Sequence, residues 1–329
     1  MMKVALIGLG SVGRGVAGLI QKKDLGITIT GIADSKSASM DPDGLDIATL
    51  LANKARNGYC GDRKISASDI IKKADYDALI EVTPTNALSG EPAIGYIKGA
   101  LLRKKHVVTS NKGPIALAYK ELHTLAVKKG VALRYEATVA GAIPVMHTLE
   151  HGLAGNEILA LYGVLNGTCN YILTRMAAEG LTYEQALMEA REMGYAEADP
   201  TYDVQGIDAA IKLVILANTI WGNNKRLSDV DRTGIDLLTP DALRLAEDEG
   251  CTIRLIAEAI PRKQILRVSP RILEKNHPLV VDGTLNALTL ATDMAKDITL
   301  IGREAGSIET ASAIIGDLLF INDRYVRHA

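Results

Sequence analysis

A glycine pattern near the start of the chain restricts its folding more than any other feature. GLGSVG sets Gly8, Gly10 and Gly13 in the spacing G-x-G-x-x-G, after an apolar run at 3–7 and at the opening of a helix-spaced segment at 12–20. A β-branched run at 27–33 follows, so strand, tight turn, helix and strand succeed one another as a βαβ unit. Residues without β-carbons let such a turn close tightly and approach a pyrophosphate, and the helix N-terminus adds amide donors and a partial positive charge. Asp34 stands at the end of the second strand, where a carboxylate can accept both ribose hydroxyls of an adenosine. Glycines alone also fit a structural turn; with strand, helix and acid in place they point to dinucleotide binding. The Asp34 carboxylate repels a 2′-phosphate, which favours NAD, while Lys36 offsets part of that charge and leaves NADP open.

The 329 residues suggest two cores, at about 150 residues per domain. Thirty-seven basic and 39 acidic side chains leave a formal charge of -2, too balanced for the phosphate neutralisation that nucleic-acid binding needs. One Trp, one Phe and 11 Tyr supply few rings for stacking bases, so small-molecule chemistry gains by default. No apolar run reaches the roughly 18 to 20 residues that cross a bilayer. MMKVALIGLG runs into the glycine loop rather than into a cleavage site, so a secretory signal is not expected. Cys60, Cys169 and Cys251 are odd in number and widely spaced, which suits reduced thiols and a cytoplasmic location.

Apolar runs at 78–82 and 107–109 alternate with helical stretches at 93–103 and 119–129, as in a parallel sheet covered on both faces. A strand is expected at 131–137, and TVAGAIPV (138–145) marks a change of direction. From 145 to about 255 the periodicity is mainly helical, with 183–193 and 207–220 long enough for three turns. Strand-like runs at 252–260, 264–273, 285–291 and 298–301 then imply a second sheet. The helix-like segment 310–321 is apolar on one side and is placed against the first domain. The expectation is an α/β fold. It comprises a Rossmann-type dinucleotide-binding domain (1–135 and 303–329) and an α+β domain for substrate binding, catalysis and dimerisation (136–302).

Two lysines stand out. Lys112, in SNKGP, follows the strand at 107–109 and so lies at the carboxyl end of a sheet strand, where open α/β sheets bind ligands; a solvated turn lysine is the plainer alternative. Lys212 closes AREMGYAEADPTYDVQGIDAAIK, which concentrates Glu197, Asp199, Asp203 and Asp208 before it. On a helix from 207 onward, Asp208 and Lys212 form an i, i+4 pair. The carboxylate favours the charged amine as a proton donor, whereas burial favours a base; a surface salt bridge is the alternative.

GYAEADPTYDVQGIDAAIK resembles the signature of homoserine dehydrogenases, agreeing at Gly194, Asp199, Pro200, Asp203, Gly206, Asp208 and Lys212. SNKGPIA (110–116), YEATVAGAIPV (135–145), NGTCNYILTRM (166–176) and GREAGSIETASAIIGDL (302–318) carry the resemblance over nearly the whole chain. It implies reversible, nicotinamide-dependent interconversion of L-homoserine and L-aspartate 4-semialdehyde in threonine and methionine biosynthesis, by a homodimer without a C-terminal regulatory domain. Lys212 matches the proton donor or acceptor and Lys112 a second lysine between nicotinamide and substrate. Glu197, Asp203 and Asp208 match acids that bind substrate or position the lysine, and Asn166, Gly167 and Thr168 line the same pocket. Dinucleotide contacts are expected from Gly8, Gly10, Ser11, Val12, Gly13, Asp34, Thr83, Ser110, Lys112 and Gly306. Backbone oxygens of Glu136, Val139, Gly141 and Ile143 match a monovalent-cation site, often sodium. Arg303, Glu304 and Glu309 depart from the pattern, where smaller residues or Pro are expected.

Two other readings compete. HTLEH fits H-x-x-E-H, a zinc-peptidase pattern using His147, Glu150 and His151, although no third-ligand motif accompanies it. Cys169 could instead be the thiol nucleophile of an aldehyde dehydrogenase, although no His partner stands near it.

Overall fold

The computed structural model describes residues 1–304 and 306–326. The chain divides into two compact units, Met1–Gly141 with Gly306–Ala329, and Ala142–Ala305.

The first unit is built on a six-stranded sheet of β1 (Met2–Ile7), β2 (Ile27–Ala33), β3 (Ala38–Met40), β4 (Ala78–Glu81), β5 (His106–Thr109) and β6 (Leu133–Arg134). Its order is β3-β2-β1-β4-β5-β6, parallel except for the β2–β3 edge pair. The order reverses beside β1, and open sheets of this kind bind ligands at the strand ends there. Strands β1, β2 and β4 are buried almost throughout, as expected for a sheet covered on both faces. Between strands run α1 (Ser11–Lys22), α2 (Ile47–Asn57), α3 (Ala67–Lys73), α4 (Ala93–Leu102) and α5 (Lys112–Lys129). The α1 helix buries Gly13, Val16, Ala17 and Ile20, the i, i+3, i+4, i+7 stripe of an amphipathic helix.

The second unit holds β7 (Ile158–Val164), β8 (Asp231–Arg232), β9 (Cys251–Ile260), β10 (Ile265–Glu274), β11 (Leu285–Thr292) and β12 (Asp297–Arg303) in the order β12-β11-β7-β9-β10-β8. These strands pair antiparallel apart from β8 with β10. Its helices are α6 (Val145–His147), α7 (Gly167–Glu179), α8 (Tyr183–Glu192), α9 (Thr201–Val204), α10 (Ile207–Trp221) and α11 (Pro240–Asp248), of which α7, α10 and α11 pack on β9. Every residue of α10 from Asp208 to Asn218 is buried, so this helix is core on all sides. The last helix, α12 (Ser307–Ile321), belongs to the first unit and lies on α1, with Ile314, Leu318 and Ile321 joining Val4, Leu6, Ile80 and Val16 in one core. The approach is close: a β-carbon on Gly15 would stand 3.0 Å from the Ser307 carbonyl oxygen.

Two expected elements are corrected. The stretch 145–255 is not mainly helical at its start, because 158–164 is the strand β7 between β9 and β11. A seven-residue apolar run reads alike as buried strand or buried helix, and only its sheet neighbours decide. The strand expected at 131–137 is confined to Leu133–Arg134, followed by a 3-10 turn at Glu136–Thr138. The chain leaves the sheet there because the Glu136 amide donates to Asp317 of α12 instead of to a neighbouring strand. Among the described residues no helix is long and apolar enough to cross a membrane.

Candidate active site

The glycines of the first loop have separate geometric causes. Gly8 has φ +105°, and a β-carbon on it would lie 2.6 Å from the Val82 carbonyl oxygen. On Gly13 the same atom would stand 2.0 Å from the oxygen of Gly8, so only glycine lets the helix start this close to the strand. Gly10 caps α1 and has open space where its side chain would be, leaving the loop surface accessible there. Ser11, Val12 and Gly13 form the first turn of α1, where amides have no partner within the helix and can bind an anion.

Asp34 does follow β2, but its carboxylate is already engaged. One oxygen accepts from the amides of Lys36 (2.7 Å) and Ser37 (2.8 Å), the other from Lys54 Nζ (2.5 Å) near the end of α2. Burial pushes this carboxyl up, but the hydrogen bonds from Lys54 and Lys36 outweigh it and hold it below the usual carboxylate range. Lys54 was not legible as a partner, because 20 residues separate it from Asp34.

At the ends of β4 and β5 the structure adds a residue that sequence reasoning missed. Glu81 is fully buried and accepts from the Thr83 amide (2.9 Å), the Thr83 hydroxyl and the Thr109 hydroxyl (3.0 Å). Burial pushes its carboxyl up, and the hydrogen bonds offset this only in part. Asn111 caps α5, accepting from the Gly113 amide at 3.1 Å and donating to the Thr83 carbonyl at 3.2 Å. Lys112 is therefore the first helical residue of α5, and the Ser110 amide beside it donates to the Glu81 carbonyl. The available signal was an acid inside the apolar run ALIEV.

In the second unit the acid-rich segment forms a buried centre. Gly206, at φ +71°, caps α10 in a left-handed conformation and starts the helix at Ile207, which sets Asp208 and Lys212 one turn apart. Asp208 is 4% and Lys212 2% exposed, so the surface-salt-bridge alternative does not hold. Lys212 Nζ donates to Asp208 Oδ2 (2.5 Å) and to the Leu165 carbonyl (2.7 Å), and it is ion-paired with Glu304. Asn166, the cap of α7, organises the acids: its amide nitrogen donates to Asp203 Oδ1 at 2.7 Å and Asp208 Oδ2 at 3.0 Å, while its oxygen accepts from the Cys169 amide. The Gly167 amide donates to Glu304, and the Thr168 hydroxyl to the Tyr195 carbonyl. A buried ammonium is tolerated only when paired in this way, and the same pairing aims it.

Not every candidate joins this centre. Glu197 is exposed and, among the described residues, makes no hydrogen bond or ion pair; Asp199 is also exposed and accepts from the Thr201 amide. Gly306 caps α12 at φ +139°. Of the four proposed cation positions, Glu136 and Val139 are buried, Gly141 has φ +57°, and the Ile143 carbonyl accepts from the Val145 amide. Glu304 and the Leu165 carbonyl were not anticipated.

The competing readings lose their footing. Cys169 is buried and its thiol contacts the Asp203 carbonyl, and burial with the neighbouring Asp203 pushes it well above the usual thiol range, so a reactive thiolate is disfavoured. In HTLEH, Val145–His147 is one α-turn and Thr148–Gly152 a π-turn. Among the described residues no group of three or more His, Cys, Asp or Glu is placed to hold a metal ion.

Comparison with known proteins agrees with this arrangement. The family model described as homoserine dehydrogenase matches residues 144–319, and that described as homoserine dehydrogenase, NAD binding domain, matches 8–136. The homoserine dehydrogenase of Methanocaldococcus jannaschii is 46% identical, with 97% of this chain and 98% of the relative covered. A crystal structure from Archaeoglobus fulgidus is 47% identical with a TM-score of 0.91, covering 98% of this chain and 99% of that one. A hyperthermophilic archaeal homoserine dehydrogenase in complex with NADPH is 28% identical with a TM-score of 0.85, covering 98% of each chain. By its dinucleotide loop, its buried lysine centre and these matches over nearly its whole length, the chain belongs to the homoserine dehydrogenase family.

Proposed function

We propose that the chain interconverts L-homoserine and L-aspartate 4-semialdehyde with Lys212 as the group that moves the proton. The observation that carries this is the buried ammonium of Lys212, aimed by Asp208 and the Leu165 carbonyl. A bound nicotinamide dinucleotide supplies or accepts the hydride. In reduction, Lys212 gives a proton to the oxygen of the aldehyde as the carbon is reduced; in oxidation it takes the hydroxyl proton back. Asp203 and Asp208 hold this centre through Asn166, Gly167 and Thr168 line its edge, and the exposed Glu197 would meet the substrate ammonium. In the nucleotide unit, Gly8 to Gly13 would take the pyrophosphate and Asp34 the ribose, with Thr83, Ser110, Lys112 and Gly306 as further contacts. The carbonyls of Glu136, Val139, Gly141 and Ile143 would serve a monovalent cation. The direct test follows the absorbance of the reduced nicotinamide while purified protein oxidises homoserine with NAD and with NADP; no turnover with either would refute the reading.

The Asp34–Lys54 pair bears on cofactor choice, and NADPH is the dinucleotide bound in the hyperthermophilic archaeal relative. Lys54 neutralises the carboxylate that would repel a 2′-phosphate. Lys54→Ala is expected to raise the preference for NAD over NADP by about tenfold in kcat/KM. An unchanged ratio would mean that the pair has no part in the choice.

A cytoplasmic homodimer completes the proposal.

A further inference from the structure

The fold brings the carboxylate of Glu304 to the lysine proposed to move the proton. Glu304 follows Arg303, the last residue of β12, which is an edge strand of the second sheet. Its Oε1 is ion-paired with Lys212 Nζ, and its Oε2 accepts the Gly167 amide at 3.2 Å. An ammonium has three hydrogens. Among the partners of the Lys212 ammonium are the Leu165 carbonyl, Asp208 Oδ2 and Glu304. A substrate oxygen can exchange a proton with Lys212 once one of these contacts opens.

The three acceptors are not held equally. Leu165 presents a backbone oxygen directly after β7, which is an interior strand. Asp208 is buried one helical turn before Lys212, and its carboxylate also takes the Asn166 amide. Glu304 comes from beyond the end of an edge strand, and its side chain is 16% exposed against 6% for Asp208. Its second anchor is the long bond to the Gly167 amide at the start of α7, where the free amides and helix dipole favour any anionic or strongly polar oxygen. Glu304 is therefore the contact that opens at least cost.

We propose that Glu304 is a positioning residue that latches Lys212 in the substrate-free enzyme, filling the place of the substrate's reacting oxygen and yielding to it on binding. Asp208 keeps the buried ammonium ion-paired throughout, and the Glu304 carboxylate adds a second anionic contact while no substrate is present. The inference rests on Lys212 being the proton-transfer group. Substrate affinity is then reduced by the fraction of enzyme in which the latch is closed.

The test compares steady-state kinetics of homoserine oxidation in the wild-type chain, Glu304→Gln, Glu304→Gly and Lys212→Met, each checked for folding by circular dichroism. Glu304→Gln keeps the size and removes the charge, and Glu304→Gly removes the side chain. Both are expected to lower the KM for homoserine by about threefold or more, with kcat within about twofold of wild type. A merely structural role would lower kcat and the melting temperature without lowering KM, and that result overturns the latch, as does a raised KM. If Lys212→Met turns over normally, the proton-transfer reading falls and the latch with it. If Lys212→Met is inactive while both Glu304 variants keep the wild-type KM, the latch alone is refuted.

Discussion

Lys212→Met is expected to lower the turnover of homoserine by about 10²-fold or more, while dinucleotide affinity, measured by fluorescence titration, stays near wild type. Methionine fills the volume of the lysine stem but can neither give nor take a proton. The affinity should hold because Lys212 belongs to the second unit, whereas the glycine loop and Asp34 belong to the first. The substitution also leaves Asp208 buried without its ammonium, although Asn166 still donates to it. Some loss of stability therefore accompanies the loss of turnover, and circular dichroism at the assay temperature separates the two. Normal turnover in a folded variant would remove Lys212 from the chemistry.

Asp317→Ala is expected to give the largest loss of stability of any single change considered, about 3–5 kcal/mol, which lowers the melting temperature by roughly 10 °C. Asp317 is fully buried in α12; its Oδ1 accepts from Arg134 Nε and its Oδ2 from the Glu136 amide, each at 3.0 Å. Arg134 is itself buried, with its guanidinium 4.5 Å from the centre of the Phe320 ring. Removing the carboxylate takes an ionic partner from a desolvated guanidinium and the acceptor from the Glu136 amide, where α12 meets the end of β6. The paired replacement Arg134→Met with Asp317→Leu should recover much of the loss, because a well-packed apolar pair has no charge to desolvate. Thermal unfolding of both variants checks this; a shift of less than a few degrees for Asp317→Ala would show that the pair carries little stability.

Legibility in the sequence followed the range of the interactions involved. The βαβ start was readable because strand, turn and helix each leave a local pattern and Gly13 answers to a clash with Gly8 in the same loop, whereas the clash that Gly8 avoids is with Val82, remote in the sequence. The Asp208–Lys212 pair was readable for the same reason, since a helix sets residues four apart on one face. What could not be read was whether that face looks at water or at the core. The short run at 158–164 was misassigned because its periodicity fits two structures, and its place between β9 and β11 depends on strands about a hundred residues later in the chain. Glu81 gave a weak hint as an acid in an apolar strand, but its hydroxyl partners come from two different strand ends.

The amino-acid sequence by itself determined the dinucleotide loop, the family signature and the helical register of the acid and lysine, because each depends on residues within a turn or two of one another. Tertiary structure alone decided that Lys212 is buried, that Asn166 joins Asp203 to Asp208, that Lys54 neutralises Asp34 and that Glu304 reaches the ammonium. Those contacts span 20 to more than 90 positions of chain, and no local preference encodes them. They form only when packing of the strands and helices around a common core brings the partners within hydrogen-bond reach.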